Sequence, residues 1–282
     1  MGPLALQVGE ARVTVFNVGD MLFGLDEVYD KSVDLSRYFP EGKIGKKARF
    51  PTHSFLIESG GAKVVVDPSD YSRLTAPGHF TPPPGYAPPP ALTAQMKSAG
   101  ALPDEIAHVV VTHLHFDHYA GVTRGAGGNA HPTFPKADCI IPAKDWEMAS
   151  IAEARKSKDP DVVDTLVAVQ EAGRLSLLDG PKGLGGGVRV EPFPGESPGH
   201  QVVAVKSNGA SCYCVGDLFH FEEEVEHPDL VASWNEPGEA ESSRVRFYRL
   251  ASDEDAIVIP GHMLPGKVSV KGGLASWKTL AP

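Results

Sequence analysis

Short apolar runs separated by turn residues fill most of the chain. Two of them, Arg12–Val18 and Thr52–Glu58, alternate apolar and polar positions and are rich in β-branched side chains, which predicts half-buried strands. Lys63–Val66 is a compact apolar run between Gly60-Gly61 and Asp67-Pro68, and the glycine pair predicts a hairpin with the preceding strand. His108–Thr112 and Cys139–Ile141 predict buried strands. Val188–Glu191, Val202–Lys206, Ser211–Val215 and Ala256–Ile259 continue the pattern in the second half. Helices are predicted over Thr93–Ala99, Lys144–Ala154, Asp161–Ala172 and Glu239–Leu250. Pro160 before the third and Gly173 after it supply start and stop chemistry. Strand clusters in both halves, each followed by helices, predict a layered α/β architecture with sheets sandwiched between helices. Residues 1–282 are read as a single domain, and no internal repeat is evident.

One segment breaks the pattern. Residues 73–92 hold seven prolines, including Pro82-Pro83-Pro84 and Pro88-Pro89-Pro90, so they form neither a central strand nor a long helix. A semi-rigid extended loop is expected, serving either as a substrate rim or as a surface connector. The run Gly183-Leu184-Gly185-Gly186-Gly187 lacks the Lys-Ser/Thr ending of a phosphate-binding loop and is read as a hairpin or connector.

A formal net charge of −10 and a pI near 5.5 oppose a nucleic-acid partner, which needs a concentrated basic surface. No stretch is long and apolar enough for a membrane span, and the N-terminus shows no signal peptide, so a cytoplasmic location is expected. Three cysteines are too few for a disulfide framework; Cys212 and Cys214, two apart on a predicted strand, are expected in the core.

The chemistry concentrates in His113-Leu114-His115-Phe116-Asp117-His118, at the end of the apolar run His108–Thr112. Three imidazoles and a carboxylate so close together are costly to desolvate unless something compensates, and a divalent cation does so. His113 and His115 are spaced to grip one ion, while Asp117 and His118, where the chain turns, can reach a neighbouring position. His200, Asp217 and His262 each sit at a glycine-containing turn beside an apolar strand, where backbone can approach a crowded site closely. Five histidines and two aspartates suffice for two cations with an open position.

This ordered set, with Asp67 after Lys63–Val66, resembles the metallo-β-lactamase superfamily from roughly Val13 to Gly266. The resemblance implies a four-layer αββα sandwich carrying two divalent cations at one edge of the paired sheets. Zinc is the leading candidate, and manganese, iron or cobalt also suit these ligands. It further implies that His113, His115 and His200 hold the first cation, that Asp117, His118 and His262 hold the second, and that Asp217 bridges them. Asp67 would support the site by hydrogen bonding, and His220 would line the pocket or steady a ligand. The implied reaction is hydrolysis by a metal-bridging hydroxide, with Asp117 or Asp217 shuttling the proton. No Gly-x-Ser-x-Gly nucleophile elbow competes with that reading.

Within the superfamily, a bridging Asp217 looks unlike the true β-lactamases, and His115 occupies the position where flavodiiron proteins typically carry an acid. Gly216-Asp217-Leu218-Phe219-His220, then His227-Pro228 and a charged helix, resembles the lactonase-like and organophosphate-hydrolase-like branch. N-acyl homoserine lactones, the signals whose hydrolysis is quorum quenching, are therefore the leading substrates. Other small carboxylic esters, phosphotriesters and β-lactams are the alternatives, and a non-catalytic metal-binding protein is a third reading. The lactonases often orient the ring with a tyrosine; Tyr29, Tyr71, Tyr86 and Tyr213 are the candidates here. Among Phe16, Phe23, Phe39, Phe80, Phe116 and Phe219, the sequence favours Phe116 and Phe219 for the pocket, because both lie close to ligands in the chain. A homodimer is common among similar hydrolases and is left open.

Overall fold

The computed structural model describes residues 2–280. Two seven-stranded sheets carry the architecture. The first contains β1 (Leu4–Val8), β2 (Ala11–Gly24), β3 (Lys47–Ser59), β4 (Ala62–Val66), β5 (His108–Val110), β6 (Asp138–Pro142) and β7 (Leu175–Leu178), in that spatial order. The second contains β8 (Lys182–Gly185), β9 (Val188–Pro192), β10 (Gln201–Ser207), β11 (Ala210–Gly216), β12 (Ile257–Pro260), β13 (Gly266–Lys271) and β14 (Leu274–Thr279). β1 to β4 form an antiparallel meander, and β4 to β7 run parallel. In the second sheet only β11 and β12 pair parallel, which requires the long helical crossover between them.

Strand alternation sorts side chains into layers. Val13, Val15, Phe55, Ile57, Val64 and Val66 point inward against Val190, Val203, Val205, Cys212 and Cys214 of the other sheet. Their neighbours Phe16, Leu56 and Val65 point outward against Met96, Trp146, Ile151 and Leu166 on the covering helices. On the far side, Val202, Ala204, Tyr213 and Val258 meet Phe247, Tyr248 and Ala251 of the helix Pro237–Asp253. The result is helix, sheet, sheet, helix, as expected for the αββα class. Cys212 and Cys214 are free, buried packing residues between the sheets.

Several expectations change in detail. The helix expected over Lys144–Ala154 is two pieces, Ala143–Trp146 and Ala149–Ser157, because Met148 adopts an extended conformation between them. Asp159 caps the next helix ahead of Pro160, and its middle, Val163–Val167, widens into a π turn. β1, β7, β8, β13 and β14 were not expected. The β8–β9 hairpin accounts for the glycine-rich run at 183–187. Within the proline-rich segment, Arg73 and Leu74 close a short helix and Leu92 opens another. Thr81 accepts a backbone hydrogen bond from Leu22 of β2, so the segment is pinned to the first sheet.

Candidate metal centre

The loops after β5, β11 and β12 leave the same ends of their sheets, and the β9–β10 loop joins them; this brings all seven expected donors together. In one group, donor atoms of His113, His115, Asp217 and Glu196 lie within 4.8 Å of one another; in the other, those of Asp117, His118 and His262 do so. Asp217 stands between the groups. Its Oδ1 is 3.2 Å from both His118 Nε2 and His262 Nε2, and its Oδ2 is 3.7 Å from His113 Nε2. His200 lies outside the tight first group but against it, its ring 5.4 Å from that of His113.

Backbone and supporting side chains fix these positions. Gly216 has φ of +51°, and a Cβ there would meet Thr112 Oγ1 at 2.5 Å and His200 Nε2 at 3.0 Å, so the turn before Asp217 demands glycine. Gly261 is constrained by space alone, since a Cβ would fall 2.8 Å from Asp217 Oδ1 and 3.0 Å from His118 Cε1. Asp67, fully buried at φ +49°, accepts from Thr112 N (2.7 Å) and Thr112 Oγ1 (2.8 Å), and its Oδ2 lies 3.0 Å from His118 Nδ1. It thus has the geometry of the supporting acid. His200 Nδ1 lies 2.9 Å from the Phe193 carbonyl and His262 Nδ1 2.7 Å from that of Pro51. Each far nitrogen so occupied turns Nε2 toward the centre.

Two carboxylates here were not anticipated. Asp145, buried, accepts from Leu114 N (3.2 Å), Ser197 Oγ (2.7 Å) and Gly199 N (2.7 Å), stitching the His113–His118 loop to the loop that bears His200. Glu196 is buried with one oxygen 3.0 Å from His115 Nδ1 and the other 3.4 Å from His113 Nε2. Trp234 Nε1 donates to Glu196 Oε1 at 3.1 Å. A glutamate in a Gly-Glu-Ser-Pro-Gly-His turn gives one local signal, its nearness to His200, and singly that describes most solvated loops.

The donor set fits divalent cations. Buried polar atoms are almost always paired, yet His113 Nε2, His118 Nε2, His200 Nε2, Asp217 Oδ1 and Glu196 Oε2 are all buried without a hydrogen-bond partner. Their mutual spacing matches as well. Donors placed tetrahedrally about 2.0–2.2 Å from an ion stand about 3.3–3.6 Å apart. The observed His–carboxylate separations in the second group are 3.2, 3.2, 3.3 and 3.6 Å.

Charge is strongly organised. Burial opposes the charged forms throughout, but Asp217, Asp117 and Asp67 outweigh it at His118 and hold its pKa well above the ordinary value. Burial also works against Asp217, and His118, His262 and His220 reverse it, holding this carboxyl well below the usual range. At His113 burial and the neighbouring His118 act together and push the pKa well down. His220 Nε2 is 3.3 Å from Asp217 Oδ2, while its Nδ1 is 3.4 Å from Glu224, which Arg244 meets at 3.1 Å and Tyr29 Oη at 2.9 Å.

A cavity of about 310 Å³ opens beside the centre, lined by Phe23, Phe50, Phe80, Phe116 and Trp234 together with Asp117, Asp217, His220 and His262. Phe116 is where the sequence placed it. Phe219 is not: its ring stacks on Tyr248 in the outer core, because the turn after Asp217 points it away from the site. Phe16 and Phe39 also belong to other cores. Phe50, unanticipated, stacks on His262 with centroids 4.0 Å apart. Phe80 comes from the proline-rich segment, which therefore does contribute to the rim. None of the four tyrosine candidates lines this cavity. Tyr29 bonds to Glu224, Tyr71 and Tyr86 to the Asp20 backbone, and Tyr213 to Glu254.

Residues 48–262 match the family model of the metallo-beta-lactamase superfamily, and the chain belongs to that superfamily. N-acyl homoserine lactonase AiiA of Bacillus thuringiensis subsp. kurstaki is 24% identical over 227 residues, 77% of this chain and 83% of the relative. Among solved structures, hydrolase AbOPH of the beta lactamase superfamily superposes with a TM-score of 0.76 at 16% identity, covering 99% of this chain and 98% of that one. AidC, a dizinc quorum-quenching lactonase in complex with a product, N-hexnoyl-L-homoserine, gives 0.75 at 19% identity over the same shares. No helix among the described residues is long and apolar enough to cross a membrane.

Proposed function

We propose that this chain is a hydrolase with two divalent cations, zinc the leading candidate, that opens a lactone or cleaves a carboxylic ester. N-acyl homoserine lactones are its leading substrate class. The observation that carries the reading is Asp217 standing between two groups of metal-ligating side chains, with His113 Nε2, His118 Nε2, His200 Nε2 and Asp217 Oδ1 buried and partnerless, beside an aromatic cavity. Bound cations would supply the positive charge that lowers a water's pKa and draws charge from a substrate oxygen. His113, His115 and His200 would hold one, Asp117, His118 and His262 the other, with Asp217 shared. Asp117 and Asp217 both line the cavity, so either carboxylate is placed to take the proton that hydrolysis releases and return it to the leaving oxygen. The five aromatic rings suit an acyl chain or other apolar substituent and keep bulk water from it.

A phosphotriester or β-lactam is the second reading. It is favoured by the cavity lining, where His220 and no tyrosine stands beside Asp217. Turnover of a homoserine lactone, paraoxon and a chromogenic cephalosporin by metal-replete protein distinguishes the two. Faster lactone opening is expected, paraoxon as the better substrate would reverse the order, and inactivity across a broad ester, lactone and phosphate panel would leave only a metal-binding protein.

A further inference from the structure

Glu196 has no place in the seven-donor set, yet it is better positioned toward the first group than His200 is. Both its oxygens face imidazole nitrogens that would hold a cation, at 3.0 Å from His115 Nδ1 and 3.4 Å from His113 Nε2. Those separations match the edges expected between donors about 2.1 Å from a shared ion, about 3.0 Å at right angles and about 3.4 Å at tetrahedral angles. Oε1 also accepts from the Trp234 indole at 3.1 Å, which fixes the carboxylate plane, while Oε2 is buried and partnerless. The backbone supports this position. Ser197 and Gly199 on either side of Pro198 donate to Asp145, so the turn is anchored to the loop carrying His113 and His115. A glutamate serving only as a surface counter-ion would keep an oxygen in water; this one keeps neither, its side chain being 1% exposed.

From this geometry we infer that Glu196 is a further ligand of the first cation, sharing it with His113, His115, His200 and Asp217. The inference rests on the dinuclear reading above. It gives the first position a second carboxylate, as Asp117 and Asp217 give the second, and makes it harder and more oxygen-rich than three imidazoles and Asp217 alone, which suits manganese or iron better than an imidazole-dominated site does. It also gives Trp234 a definite task, since the indole that lines the substrate cavity holds this ligand in place.

The test uses Glu196→Gln, which preserves shape and an acceptor oxygen for Trp234 while removing the charge, with Glu196→Ala beside it. Stepwise cation affinities from chelator competition, metal content and the visible spectrum of the cobalt-loaded protein are compared with wild type. Expected are two equivalents in the wild type, loss of affinity by about 10-fold or more at one position only in both variants, and a changed cobalt band at that position. Two equivalents with unaltered affinities and an unaltered cobalt spectrum in Glu196→Gln would overturn the assignment while leaving the hydrolase reading intact. A wild-type chain that retains less than one equivalent of any divalent cation would overturn both.

Discussion

The two donor groups share Asp217 but are held in different ways. In the second, the far nitrogen of each imidazole rests on a buried acceptor, His118 on Asp67 and His262 on the Pro51 carbonyl. In the first, Thr112 Oγ1 and the Phe193 carbonyl do this for His113 and His200, but His115 keeps 38% of its side chain exposed and turns Nδ1 toward Glu196. One group is therefore preorganised by the fold, and the other relies on a carboxylate from a different loop. Preorganised ligands lose less freedom on binding, so the second position is expected to take its cation more tightly.

The most severe way to break this comparison is to remove the shared donor. Asp217→Ala is expected to cut activity about 1,000-fold or more, equivalent to several kcal/mol of lost charge stabilisation, and to lower metal content at both positions. His115→Ala is expected to remove most activity while depleting only the first position. Wild-type rates in either variant, read by steady-state kinetics with elemental analysis, would remove the site from consideration.

Next is the support behind Asp217. Burial opposes the Glu224 carboxylate, but Arg244 and His220 bring its pKa from the ordinary 4.5 down to about 2. Its stabilisation is thus fully present above pH 4.5 and lost as the pH falls toward 2. Glu224→Gln leaves Arg244 buried without its counter-charge, and a loss of about 3 kcal/mol at pH 7 is expected. Denaturant unfolding at a series of pH values should show the gap to wild type closing below pH 4.5.

Smaller effects sharpen the contrast between the groups. Asp67→Asn is expected to weaken the second position about 10- to 100-fold and the first by less, since Asp67 meets His118 directly but reaches His113 only through Thr112 Oγ1, as chelator competition would reveal. Phe80→Ala touches the cavity and neither group. It should raise KM for a long-chain acyl lactone about 10-fold with kcat nearly constant, the signature of lost uniform binding.

Sequence legibility follows the same division. The His113–His118 block could be read directly, because its donors are neighbours in the chain and the preceding apolar run announces a strand. His200, Asp217 and His262 are three isolated letters whose meeting depends on the order of strands in a sheet, so they became meaningful only as an ordered set resembling a family. Glu196 and Asp145 were invisible for the opposite reason. Glutamate in a loop and aspartate in a short helix are usually solvated, and only tertiary packing of the β9–β10 loop against the block and the helix Ala143–Trp146 makes these two buried. The β13–β14 hairpin, by contrast, carried a legible Gly272-Gly273 turn, with φ of +59° and +84°, between apolar alternations that are short and largely exposed. Phe219 shows the limit of proximity in sequence: two residues beyond a central donor, a single turn of the chain sends its ring into another core.

The central claim is that donors from both sheets enclose two cations around one aspartate. Crystals grown from zinc-loaded protein and measured at the zinc absorption edge test it directly. Two anomalous peaks are predicted, one among His113, His115 and His200, the other among Asp117, His118 and His262, with Asp217 in contact with both. No peak at this location, or a peak that Asp217 does not touch, would contradict the account.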